Sequence, residues 1–64
     1  MSKDAEIEVD RLIQEFGSNS YREAVRRTVE ATRNGEAWVA EIFSEATIEL
    51  MRLGYHKNET KVAN

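Results

Sequence analysis

AWVAEIFSEATIELMRL, residues 37–53, decides how this chain is read. Projected at about 100° per residue, Ile42, Leu53, Ala46, Val39, Leu50, Phe43, Thr47, Ala40 and Met51 fill an arc of roughly 180°, with Trp38 on its border. A helix lying on one side of a globular core shows an apolar stripe little wider than about 100°. The surplus predicts a second partner for this helix, most simply another copy of the chain. Glu41, Ser44, Glu45, Glu49 and Arg52 form its polar edge.

Length sharpens that expectation. Sixty-four residues make one domain, and a domain of that size buries only about 60% of its unfolded surface. Disulfides, metals or oligomerisation commonly make up the deficit. The chain has no cysteine and one histidine, which removes disulfides and thiolate metal sites and leaves self-association, with a well-packed helical monomer as the other solution. Hydrophobic residues at 41% with charged residues at 33% match a folded helical protein rather than a disordered one. The absence of proline agrees, because helix interiors exclude it.

Two further helices precede the quoted stretch. Ala5, Val9, Leu12, Ile13 and Phe16 recur at i, i+4, i+7, i+8 and i+11, which predicts a helix over 4–16 that ends at Gly17. Asp4 and Glu6 fall in its first turn, where the helix dipole favours negative charge. Ser20-Tyr21-Arg22-Glu23 has the spacing of a capping box and opens a second helix over 20–34. Its apolar face reads Tyr21, Val25, Thr28, Val29 and Thr32, with Ala24 and Ala31 on the flank. Asn34-Gly35 predicts a turn, since both residues tolerate positive φ. The third helix then spans 36–53, with Gly54 as its terminal glycine.

The predicted fold is all-α: a small three-helix bundle over residues 1–55, a homodimer packed through the third helix, and a flexible tail over 56–64. The expected buried set is Val9, Leu12, Ile13, Phe16, Val25, Val29, Val39, Ile42, Phe43, Ala46, Leu50 and Leu53. The expected interface comprises Trp38, Ala40, Phe43, Thr47, Met51 and Tyr55, centred on Phe43, Thr47, Ala40 and Met51.

Charge alternates along the chain. Residues 3–16 hold two cations and five anions, residues 20–34 four arginines and two glutamates, and residues 36–53 one arginine and four glutamates. Antiparallel neighbours would set the arginines of the second helix beside the glutamates of the first and third. The net charge of −3 disfavours generic nucleic-acid or anionic-membrane binding. No apolar run reaches the ~18 residues of a membrane span, and the first ten residues lack a signal-peptide layout, so a cytoplasmic location is the default expectation.

Candidate chemistry is sparse. Arg22, Arg26, Arg27 and Arg33 are the best case for nucleic-acid contact, but in a helix-turn-helix the second helix reads the groove, and here that helix is acidic. Glu41, Glu45 and Glu49 share one stripe without the Glu-x-x-His of a dinuclear metal bundle, so a solvated face with a Glu49–Arg52 pair is expected. His56 stands alone beyond the last helix and is expected to be a tail residue; Asn58-Glu59-Thr60 has the form of a glycosylation sequon without the context for one. No metal or cofactor is expected, and no phosphate loop or nucleophile motif suggests an enzyme.

In outline, LIQEFG at 12–17, Tyr21-x-x-Ala24 and Asn34-Gly35-x-x-Trp38-x-x-x-Ile42 resemble a class of short bacterial helical proteins. These positions are helix punctuation and core, so the resemblance implies a helical fold and carries no activity. The functional expectation is a non-enzymatic helical interaction module (an adaptor, inhibitor or regulator) that pairs with itself or receives a partner helix. A DNA-associated regulator using the arginines is the alternative.

Overall fold

A computed structural model describes residues 1–57 and shows an all-α chain. Helix α1 spans Lys3–Phe16, a 3₁₀ turn spans Gly17–Asn19, α2 spans Ser20–Arg33 and α3 spans Ala37–Arg52. Each helix contacts the other two, most extensively α3. The third helix is therefore the central one. No helix among the described residues is long and apolar enough to cross a membrane.

Local chemistry explains the boundaries. Ser2 is the N-cap of α1, its Oγ accepting from the Ala5 amide at 3.2 Å. Gly17, at φ 54°, ends that helix and returns its amide to the Ile13 carbonyl. The α2–α3 turn closes on Gly35 at φ 74°, where the Glu36 amide reaches the Ala31 carbonyl and the Gly35 amide reaches that of Thr32. The same pair of bonds recurs after α3: the Tyr55 amide donates to Leu50, and the Gly54 amide to Met51. Both ends thus satisfy carbonyls that a helix terminus leaves bare.

The capping box expected at Ser20–Glu23 does not form. The 3₁₀ turn runs directly into α2, so Ser20 is already helical and its amide bonds to the Gly17 carbonyl. Glu23 turns instead to Arg26 and Arg27, and Ser20 is fully buried with its Oγ unpartnered.

The core is built on Val9, Leu12, Ala24, Ala46 and Leu50, with Ile13, Phe16, Tyr21, Phe43 and Tyr55 packed against it. Three residues expected inside are outside: Val25, Val29 and Leu53 are exposed. Ala24 and Ala31, expected on the flank, are buried along with Ala5 and Ser20. Ser20, Ala24 and Ala31 lie within about 40° on the helical wheel. Turning this small-residue stripe inward lets the α2 backbone approach its neighbours closely, since interaxial distance depends on the side chains at the contact. The valine edge is left facing out.

Tyr55 packs on the core and His56 is half-buried, its ring 6.1 Å from that of Tyr21 in an edge-on contact. His56 is thus part of the folded body, not a tail residue, and its Nδ1 is buried without a hydrogen-bond partner. Residues 58–64, which include the sequon and most of the expected tail, lie outside the described residues.

A candidate protein interface on the helix two and helix three groove

Three large apolar side chains stand exposed along one groove between α2 and α3: Val25 at 36%, Val29 at 44% and Ile48 at 64%. Thr28, Ser44 and Thr47 complete this stretch of the groove, and its exposed lining is almost wholly apolar. The groove continues past Thr32, Gly35, Ala37, Ala40 and Glu41, where it encloses about 410 Å³ and stays open along its length. A trough of this shape suits a helix better than an enclosed small molecule.

Sequence spacing positions these residues. On α3, Ala37, Ala40, Ser44, Thr47 and Met51 recur at alternating intervals of three and four. On α2, Tyr21, Val25, Thr28 and Thr32 do the same. This is the spacing of a helix–helix seam. Small residues at most of its positions leave room for close approach.

The threonines leave the groove with fewer unmet polar groups than its composition suggests. Thr28 donates its hydroxyl to the Ala24 carbonyl at 2.8 Å, Thr32 to Thr28 at 2.9 Å and Thr47 to Phe43 at 2.7 Å. With each threonine hydroxyl satisfied inside its own helix, the groove can be covered without orphaning those three groups.

The expected interface residues divide. Ala40 and Thr47 line the groove, and Met51 is exposed in register with them. Phe43 and Tyr55 pack against the chain's own core. Trp38 is 70% exposed and lies on the far side of α3 from the groove by its helical phase. Ile48 had no place in the expected set. Its signal was its position next to Thr47 on the three-four seam.

The arginines form a different feature. Glu23 accepts from Arg26 Nε and Nη2 at 3.1 and 2.7 Å and from Arg27 Nε at 2.7 Å. These bonds, chiefly the one from Arg26, hold the Glu23 carboxyl down at about 2, against the opposing effect of its partial burial. Arg26 also approaches Glu30 at 3.5 Å. The Arg27 guanidinium lies 5.5 Å from the Phe16 ring centroid and 5.7 Å from that of Phe43, so it clasps the end of α1 to α3. Arg22 and Arg33 are exposed, and Arg33 lies beside Arg26 and Val29 at the outer rim of α2. The ion pairs of Arg11, Arg26, Arg27 and Arg52 run within their own helices rather than between helices, because three-and-four spacing supplies nearer carboxylates there.

The acidic stripe of α3 is likewise divided. Glu49 accepts from Arg52 Nε at 2.8 Å and from its Nη2, as its spacing predicted. Glu45 accepts from the Ser2 amide at 3.0 Å, tying the chain start to α3 and lowering the carboxyl's pKa. Glu41 is exposed. Among the described residues, no group of three or more His, Cys, Asp or Glu side chains is placed to hold a metal ion. Comparison of the chain with protein-family models, curated proteins and solved structures yields no match.

Proposed function

We propose that this chain is a small non-enzymatic helical interaction module that self-associates and acts by covering the α2–α3 groove with another protein surface. The supporting observation is the exposure of Val25, Val29 and Ile48 along a seam whose threonine hydroxyls are already satisfied. Scattered apolar residues on a surface are ordinary; a contiguous row along a helix–helix groove marks an interaction site. Such a module would serve as an adaptor, inhibitor or regulator. Size-exclusion chromatography with light scattering across a concentration series tests the reading. The expected result is a dimer mass, with a thermal midpoint that rises with concentration. A monomer whose melting is independent of concentration overturns it.

A further inference from the structure

The groove has two rims of opposite charge. Arg26, Glu30 and Arg33 border Val29 along the outer edge of α2; Arg26 is paired with Glu23 and Glu30, so the positive charge this rim offers is that of Arg33. Glu41 borders Ala37, Ala40 and Ser44 on α3, and Glu45 borders Ile48. Two copies can meet face to face about two kinds of two-fold axis lying in the interface plane. An axis across the helices stacks α2 on α2 and α3 on α3, which sets arginine rim against arginine rim and glutamate rim against glutamate rim. An axis parallel to the helices stacks α2 of each copy on α3 of the other, antiparallel, with basic rim against acidic rim at both edges.

We propose that a second copy of the chain fills the groove about a two-fold axis parallel to α2 and α3, so that Arg33 of each copy meets Glu41 of the other. This deepens the self-association reading and rests on it. A pure two-fold about that axis keeps every residue at its own height along the helices. The groove brings Thr28 and Thr32 together with Ala40 and Ser44, so Arg33 and Glu41 already stand at nearly one level across the hairpin. Neither makes an ion pair among the described residues, and both are exposed, so each is available to the other copy. In the middle, Val25 and Val29 of one copy lie over Thr47 and Ile48 of the other. The two-fold makes this a closed contact that ends at two chains.

Charge reversal in two separate proteins tests the geometry. Arg33→Glu sets Glu against Glu at both edges of its own dimer, and Glu41→Arg sets Arg against Arg. Each variant alone is expected to dimerise at least about tenfold more weakly than the unaltered chain, since two contacts change sign. An equimolar mixture makes both edges attractive again. Native mass spectrometry of the mixture is then expected to show the mixed dimer in large excess over either pure dimer, with affinity restored. Circular dichroism of each variant should match the unaltered chain, because both positions are exposed.

Three results overturn the proposal, and they differ in reach. If the unaltered chain dimerises and the mixture gives only the statistical proportion of mixed dimer, this geometry fails and self-association stands. If the unaltered chain dimerises and both single reversals leave its affinity unchanged, the result is the same. If the unaltered chain stays monomeric across the concentration series, both readings fall and the groove belongs to a different partner.

Discussion

Two serines at helix starts carry opposite physics. Ser2 caps α1 through its Oγ, whereas Ser20 is sealed inside with its hydroxyl unpartnered. Replacing Ser2 by Ala should cost about 1 kcal/mol, the usual worth of an N-cap. Ser20→Ala removes a buried group that makes no bond, so urea denaturation should find it neutral or stabilising by up to about 1 kcal/mol. A loss of about 1 kcal/mol at Ser20 would instead restore the capping-box reading of Ser20–Glu23. Glu23 gives the pH dependence at this scale. Its folded pKa of about 2 lies below its ordinary 4.5, so its contribution is complete above pH 4.5 and fades as pH falls toward 2. Arg26 is more than half exposed, and solvent there holds the contribution to about 1 kcal/mol. Glu23→Gln should therefore be less stable than the unaltered chain by that amount at pH 7, with the gap narrowing between pH 4.5 and 2 in paired denaturation curves.

Helix boundaries belong to the next scale, and they were largely legible. The stops at Gly17, Gly35 and Gly54 appear where the glycines stand, each with positive φ. A Cβ at Gly35 would meet nothing within 4 Å, so only backbone conformation opposes one. Gly35→Ala should cost about 1 kcal/mol or slightly more, read as a shift in urea midpoint with an unchanged slope. Which face α2 turns inward was not legible. Its sequence carries two apolar stripes, Ala24 with Ala31 and Val25 with Val29, and hydrophobicity alone ranks the valines first. Size decides the other way: the alanine stripe permits close approach, and the valines are left for the groove. Arg27 shows a related gap. Nothing in its local sequence announces that its guanidinium lies over Phe16 and Phe43, because those rings come from two other helices.

At the scale of the molecule, the core is small. Leu12 and Leu50 are its largest fully buried apolar side chains. A core of this size in a chain below about 70 residues supplies only about 3–5 kcal/mol. Leu50→Ala, which should remove about 2–5 kcal/mol, is therefore expected to leave the chain mostly unfolded at 25 °C by circular dichroism. Val29→Ala should hardly change the stability of an isolated subunit, because Val29 is 44% exposed, yet it should weaken association. Equal loss of stability at low and high protein concentration would count against a role for Val29 in an interface.

By itself, the amino-acid order determined that this chain is helical, where its helices begin and end, and that the last of them carries an apolar arc around about half its circumference. Those properties are local: periodicity, glycine conformations and composition act within a few residues of chain. Tertiary structure alone decided which α2 stripe faces inward, that Phe43 and Tyr55 serve the core, and that Val25, Val29 and Ile48 share one groove. These depend on how closely three helices approach, a quantity set by side-chain volume at contacts between residues far apart in sequence.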